Sequence, residues 1–142
     1  MKSQIEAVRR FNRFYTREIG VLREGLLDSP FSLTEVRIMY ELFDRKNVTA
    51  VELGRDLGLD RGYLSRALQS FERRGLIKRT QSQTDRRHRF LALTPKGRKV
   101  FVPLNKRAQN EVRQMLSELS AAEREELIDA MEAIQRLIAH AR

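Results

Sequence analysis

The sequence predicts a mainly α-helical protein that contains one small β-hairpin. Apolar residues recur every three or four positions along most of the chain, and three short segments have the form of a helix-capping box. One stretch, residues 76–93, instead has two β-prone runs around a polar tip. The chain of 142 residues is long enough for one domain with its own core and too short for two ordinary ones.

The composition excludes several kinds of protein. There is no cysteine, so disulfides and thiolate metal sites are excluded. His88 and His140 are the two histidines and lie far apart in the sequence, which does not favour a histidine-centred catalytic triad. No apolar run approaches the roughly 18 residues that a membrane span needs, and the N-terminus lacks the apolar core of a secretory signal. We therefore expect a cytoplasmic protein that is not an enzyme, has no metal or cofactor, and does not contact a membrane.

The N-terminal residues 4–22 are predicted to form a helix. Apolar residues occur there at steps of three and four and so share one face. Residues 24–30 break this pattern, with Gly25 and Pro30 as the breaking residues. The predicted face consists of Ile5, Val8, Phe11 or Asn12, Tyr15, Ile19 and Leu22.

Three shorter helices are predicted between residues 32 and 75. Capping boxes at residues 32–35 and 49–52 begin the first two, and Asp60 caps the third. Gly58 ends the second helix, so the second and third helices form a helix-turn-helix across residues 58–60. The side chains expected to point inward are Val36, Met39, Tyr40 and Phe43, then Ala50, Leu53 and Leu57, then Leu64, Ala67 or Leu68, and Phe71.

The β-hairpin follows the helix-turn-helix directly, and this order is typical of a winged helix. Its strands are predicted at residues 76–80 and 88–93, with a polar, charged tip between them. Thr94 and Pro95 end the hairpin as the cap and first residue of a further helix. The winged helix-turn-helix is therefore expected to occupy residues 32–94.

Two long helices are predicted after the wing, over residues 95–118 and from the capping box at 120–123 onward. Together with the N-terminal helix they carry more apolar stripe than a winged helix of about 70 residues can cover. We expect residues 1–24 and 95–142 to form a dimerisation part within a single domain of residues 1–142. The alternative is that these helices fold back as a cap within one chain.

The positive charge is concentrated in one stretch of the chain. Residues 60–99 contain twelve Arg or Lys and three acidic residues, which is +9, the net charge of the whole chain. A localised field of this kind attracts a polyanion by releasing its condensed counterions. The sequence therefore favours a nucleic-acid partner, and the alternative is a solvated basic face without a partner.

The sequence from the third helix to the start of the fifth resembles the MarR family of bacterial regulators. Residues 85–97 run Asp-Arg-Arg-His-Arg-Phe-Leu-Ala-Leu-Thr-Pro-Lys-Gly, an Asp-x-Arg wing tip followed by a strand that ends Leu-Thr-x-x-Gly. Residues 64–66 (Leu-Ser-Arg) and 71–77 (Phe-Glu-Arg-Arg-Gly-Leu-Ile) are similar to the same family's recognition helix and its step into the wing. The resemblance implies a mainly α homodimer with a small β-wing. It also implies a repressor that binds double-stranded palindromic promoter DNA until a small aromatic or anionic effector releases it.

Residues 20–27, with Ser29, Pro30 and Phe31, also resemble the regulator module that some family members fuse to a GNAT-type acetyltransferase. One alternative is therefore a regulatory or interaction module of a larger acetyltransferase. Another is a winged helix that binds protein or RNA rather than duplex DNA, although an RNA module more often shows exposed aromatic residues on a sheet.

Candidate contacts follow from this arrangement. The exposed side of the third helix is expected to lie in the major groove, where Arg61 and Arg66 contact bases. The wing is expected to lie in the minor groove. Asp85 either shapes the wing tip by pairing with Arg87 or Arg89, or serves as a turn residue. The major-groove candidates are Arg61, Tyr63, Ser65, Arg66 and Gln69. The wing candidates are Asp85, Arg86, Arg87 and Arg89, and the backbone candidates are Ser32, Thr34, Lys78 and Arg79. Phe14, Tyr15, Phe31, Tyr40 and Phe43 are candidates for an effector pocket, or else plain core.

Overall fold

The computed structural model describes residues 1–20 and 29–142. Within them are six helices and one antiparallel hairpin, which confirms the mainly α fold class with a small β-wing. The elements are α1 (Lys2–Glu18), α2 (Leu33–Asp44), α3 (Ala50–Leu57), α4 (Arg61–Arg73), β1 (Ile77–Gln81), β2 (Arg89–Leu93), α5 (Pro95–Ser117) and α6 (Ala121–Ala141).

The chain divides into two compact units, Met1–Asn105 and Lys106–Arg142. The core of the first unit is formed by residues of α2, α3, α4, the hairpin and the start of α5. The last two residues of the predicted N-terminal helix, and most of the segment that resembles the acetyltransferase fusions, lie outside the described residues. No helix of residues 1–20 and 29–142 combines the length and apolarity needed to cross a bilayer.

Helix α2 begins at the predicted capping box, and of the side chains expected to point inward Val36 and Phe43 are half-buried. The Glu35 amide donates to Ser32 Oγ (3.2 Å) and the Ser32 amide to Glu35 Oε1 (3.0 Å). Met39 is buried as predicted, but its buried partners are Ile38 and Leu42, whereas Tyr40 is 40% exposed. The inward placement of Tyr40 was therefore wrong in this chain, because two overlapping apolar stripes run along α2 and periodicity alone does not choose between them.

Helices α3 and α4 form the predicted helix-turn-helix. A capping box at Thr49 begins α3, and Gly58 ends it in the left-handed conformation at φ 64°. The Asp60 carboxylate accepts the Tyr63 amide (3.0 Å) and so caps α4. A Cβ on Gly54 would lie 3.2 Å from Leu64 Cδ2, which explains the small residue where the two helices cross.

The hairpin pairs Ile77 with Leu93 at its base and Gln81 with Arg89 near its tip. The Leu91 amide donates to the Val48 carbonyl (2.7 Å), so residues before α3 join the edge of the hairpin. Ile77, Leu91 and Leu93 are buried, which anchors the hairpin on the core.

Helix α5 begins directly on the turn that ends α4. The Thr94 hydroxyl donates to the Gly75 carbonyl and accepts the Gly97 amide, and Lys96 Nζ donates to the Arg74 carbonyl (3.0 Å). Gly97 packs so closely on the Leu76 carbonyl oxygen that a Cβ there would overlap it. The Thr-x-x-Gly pattern therefore joins the start of α5 to the end of α4.

Candidate nucleic-acid interface

Helix α4 has one buried side and one exposed side. Leu64, Leu68 and Phe71 are each at most 3% exposed and fix the helix on the core. All five major-groove candidates are exposed: Arg61, Tyr63, Ser65, Arg66 and Gln69. The side of α4 that the sequence predicted for base contacts is therefore free of intrachain packing.

Hydrogen bonds within the wing tip fix its shape. Ser82 is buried, and its hydroxyl oxygen accepts the amides of Thr84 (3.3 Å) and Asp85 (3.1 Å). Gln81 Nε2 donates to the Arg86 carbonyl (2.8 Å) and closes the tip across its base. Neither Ser82 nor Gln81 was predicted to have a role, because that role depends on the loop's three-dimensional path.

Asp85 and Arg87 form a two-pronged ion pair. Arg87 Nε donates to Asp85 Oδ1 (3.1 Å), Arg87 Nη2 to Oδ2 (3.2 Å), and the Arg87 amide also donates to Oδ1 (3.0 Å). These bonds lower the pKa of Asp85, with the Arg87 side chain as the largest cause and the Arg87 amide next. His88 Nε2 lies 3.3 Å from Asp85 Oδ2, a contact the sequence analysis did not predict. The Arg87 side chain remains 88% exposed, so the pair orients it without burying it.

The residues predicted to contact the DNA backbone differ in whether their side chains already have partners within the chain. Lys78 is exposed, whereas the Ser32 hydroxyl is engaged with the Glu35 amide and Thr34 is half-buried. Arg79 Nε pairs with Glu72 Oε2 at 3.2 Å, and this pair links β1 to α4. A bracing role for Arg79 was not predicted from the sequence.

The candidate pocket residues occur in separate aromatic contacts. Phe31 packs on Phe71 with the Arg74 guanidinium 4.7 Å above its ring. Tyr40 and Phe43 both pack on Phe101, at centroid distances of 6.4 and 5.1 Å. The remaining two, Phe14 and Tyr15, are exposed on α1, where Tyr15 stacks on Phe11.

The buried carboxylate of Glu41 belongs to a group of ion pairs that links the end of α2 to α3. Glu41 is 9% exposed and pairs with Arg37 Nη2 (2.9 Å) and Arg45 Nη1 (3.4 Å), and Arg45 also reaches Asp56 of α3 (3.0 Å). The Glu41 hydrogen bond is the largest cause of a raised Arg45 pKa. The spacing of four residues between Arg37, Glu41 and Arg45 was the available sequence signal. Among residues 1–20 and 29–142, no three His, Asp or Glu side chains cluster as metal ligands would.

Comparison with known proteins agrees with this geometry. The sequence profile of the MarR family matches residues 31–88, from the start of α2 to the wing. The uncharacterized HTH-type transcriptional regulator YdgJ of Bacillus subtilis is 26% identical over 113 residues, which cover 80% of this chain and 68% of YdgJ.

Solved structures match along almost the whole chain. A MarR family transcription regulator is 27% identical, with a TM-score of 0.75, over 98% of this chain and 90% of its own. Streptococcus pneumoniae FabT in complex with DNA shares the fold at 20% identity, with a TM-score of 0.76, over 99% and 98% of the two chains. Bordetella bronchiseptica BpsR also shares the fold, at 18% identity and with a TM-score of 0.72, over 92% of this chain and 98% of its own. Its structure was solved in a study of how 6-hydroxynicotinic acid regulates its DNA binding. With its winged helix and its basic exposed surface, the chain is similar to DNA-binding transcriptional regulators of the MarR family, whose profile matches residues 31–88.

Proposed function

We propose that the chain represses a promoter by binding a palindromic site on duplex DNA as a homodimer, and that a small aromatic or anionic ligand releases it. The observation that carries this proposal is the basic surface on the exposed side of α4 and on the wing, whose strand β1 is joined to α4 by the Glu72–Arg79 pair. We assign the DNA-binding part to residues 32–94 and the dimerisation part to residues 1–24 and 95–142.

In this proposal α4 enters the major groove and supplies the base contacts. Arg61 and Arg66 can each donate two hydrogen bonds to guanine O6 and N7, worth about 1–3 kcal/mol of discrimination per pair. Tyr63, Ser65 and Gln69 lie on the same exposed side and supply further contacts to bases or phosphates.

The wing supplies contacts that depend less on base sequence. Arg87 is held by Asp85 yet almost fully exposed, which suits insertion into a narrow minor groove where the negative potential is enhanced. Arg86, Arg89 and Lys78 are exposed nearby and supply phosphate contacts and most of the salt dependence. Arg79, Ser32 and Thr34 have less freedom to contact DNA through their side chains, so Arg79 contributes mainly by holding the wing against α4.

The proposed dimer is supported by apolar residues that the chain itself leaves uncovered. Neither α1 nor α6 contains a buried residue, although both carry an apolar stripe. The most exposed apolar side chains of these two helices are Val8 (59%) and Phe14 (52%) in α1 and Leu137 (59%) and Ile138 (53%) in α6. Stripes of this size on a water-soluble chain favour a second copy over the alternative cap within one chain.

The proposed ligand site is the aromatic cluster of Tyr40, Phe43 and Phe101. Arg37 lies 5.7 Å from the Tyr40 ring centre and Arg98 5.4 Å from the Phe43 ring centre, so two cations flank the cluster. An aromatic carboxylate would find both stacking surface and positive charge there. The effect of 6-hydroxynicotinic acid on BpsR supports a ligand of this class. Adding benzoate should then lower the affinity for DNA, and Arg98→Ala should remove that response.

Selection from random duplex DNA tests the function as a whole. The purified chain is incubated with the pool, the bound fraction is amplified over several rounds, and the product is sequenced. The proposal predicts a two-fold symmetric site whose half-sites lie about one helical turn, or a multiple of it, apart. Salt-sensitive binding without enrichment of any sequence would overturn it.

A further inference from the structure

Gly62 is the one described glycine after α1 whose presence the packing of the fold does not explain. Gly20, Gly58 and Gly75 have positive φ, a Cβ on Gly54 would press on Leu64, and a Cβ on Gly97 would overlap the Leu76 carbonyl. Gly62 instead lies in the first turn of α4, where alanine would favour the helix by up to about 1 kcal/mol.

The space beside Gly62 is occupied by the tip of the Arg66 side chain. A Cβ on Gly62 would lie 3.1 Å from Arg66 Nη1, 4.0 Å from Arg66 Cζ and 3.3 Å from Asp60 Oδ2. The guanidinium therefore runs back by one turn and lies across the helix surface at Gly62. Because Asp60 is the N-cap of α4, this places the guanidinium at the N-terminal end of that helix.

This placement matters for base recognition. In a helix-turn-helix, the N-terminal residues of the recognition helix lie nearest the base edges. A two-bond contact with guanine requires both donors to be aligned, so a displacement of the guanidinium weakens it. A Cβ on Gly62 would require Arg66 to move by a few tenths of an ångström.

We propose that Gly62 determines base specificity by leaving open the space through which Arg66 reaches the N-terminal end of α4. Gly62 is thus a positioning residue that acts through Arg66. The inference rests on the proposed function, because it requires that Arg66 contact a base.

A double-mutant cycle tests the inference. The wild type, Gly62→Ala, Arg66→Ala and the double variant are titrated with the duplex that the wild type selects and with duplexes altered at each position of the half-site. We expect Arg66→Ala to lower the preference for one base pair about tenfold or more, and Gly62→Ala to lower it about three- to tenfold at the same position. In the Arg66→Ala background, Gly62→Ala should change affinity less than twofold.

Two further measurements separate this role from a structural one. Gly62→Ala should unfold at a denaturant concentration no lower than the wild type, so that its weaker discrimination does not come from a damaged fold. Ser70→Ala also raises helix propensity in α4 but lies one turn after Arg66, whereas the Arg66 guanidinium runs one turn back toward Gly62, and this variant should keep the wild-type base preference.

Three results would overturn the inference. The first is retention of the wild-type base preference by Gly62→Ala. The second is an equal loss of affinity on adding Gly62→Ala to the Arg66→Ala background, which would mean that the methyl group obstructs DNA directly. Unchanged base preference in Arg66→Ala itself would refute both this inference and the proposed base contact of Arg66.

Discussion

Gly62 and Gly97 each lie in the first turn of a helix, but the atoms around them differ. A Cβ on Gly62 would meet the mobile ends of Arg66 and Asp60, whereas a Cβ on Gly97 would overlap the backbone carbonyl of Leu76. Side-chain ends can move by a few tenths of an ångström at small cost, but this carbonyl belongs to the turn into β1 and cannot move without shifting the hairpin.

We predict that Gly97→Ala lowers the free energy of unfolding by about 1–3 kcal/mol, because the added methyl group separates α5 from the end of α4. Gly62→Ala is the matched control and should leave this free energy unchanged or raise it slightly. Urea unfolding followed by circular dichroism measures both variants. Equal unfolding midpoints for Gly97→Ala and the wild type would contradict the close approach of Gly97 to Leu76.

Residues that act within one turn of the chain were the most predictable from the sequence. Ser32, Thr49, Asp60 and Ser120 all cap helices as expected, because a cap depends on residues only two or three positions away. The buried Glu41 was not found, because its burial depends on how α2 packs against α3. For the same reason the exposed position of Tyr40 could not be predicted from periodicity.

At the scale of elements, the wing likewise has some features that the sequence predicted and others that it did not. Its strands and polar tip follow from residue pattern, and the pairing of Asp85 with Arg87 was one of the two pairings expected. The contribution of Gln81, Ser82 and His88 required the folded loop. The contacts of Thr94, Lys96 and Gly97 with residues at the end of α4 explain the Leu-Thr-x-x-Gly motif physically. From the sequence alone, this motif was only a resemblance to a family.

Asp85→Asn tests whether the wing tip works by orienting Arg87. Removal of a negative charge beside DNA would by itself raise affinity, whereas loss of the ion pair leaves Arg87 without a fixed direction. We predict that affinity falls several-fold, because alignment of Arg87 is the larger effect. Fluorescence anisotropy with the selected duplex measures it, and Asp129→Asn, which removes an exposed acid from α6, is the control. Tighter binding by Asp85→Asn would support a simple turn role instead.

The sign of the Asp85 pKa shift also sets a pH dependence. Because the pair with Arg87 lowers the pKa of Asp85 in the folded chain, its stabilising contribution is complete above the unfolded pKa of about 3.9. It is lost only as pH falls through the lower folded value. The tip should therefore keep the Asp85–Arg87 pair between about pH 5 and pH 8.

At the scale of the whole molecule, charge and apolar surface are segregated along the sequence. The net positive charge is concentrated in residues 60–99. Residues 1–59 and 100–142, which include α1 and α6 with their exposed apolar side chains, carry net charges of only +1 and −1. This division is consistent with the proposal that one part of the chain binds DNA and another binds a second copy. The sequence indicated it because charge and apolar periodicity are both visible without coordinates.

We predict that Leu137→Glu converts the proposed dimer to monomers at micromolar concentration, because it places a charge in the proposed apolar interface. Leu137 is 59% exposed in the single chain, so the substitution should leave the fold of one copy intact. Affinity for the symmetric site should fall about a hundredfold or more, since the two half-sites are then bound independently. Light scattering after size-exclusion chromatography gives the mass, with Gln135→Glu as the control. A Leu137→Glu dimer as stable as the wild type would place the interface elsewhere.

The most direct test of the DNA surface is to titrate the selected duplex with Arg66→Ala and Arg87→Ala at several salt concentrations. We predict that Arg66→Ala changes the preferred base at one position in each half-site. Arg87→Ala should instead weaken binding to all sequences and reduce the salt slope by about one. Arg136→Ala on α6 should behave as the wild type. If both Arg66→Ala and Arg87→Ala bind DNA with wild-type affinity, preference and salt slope, then α4 and the wing are not the DNA-binding surface.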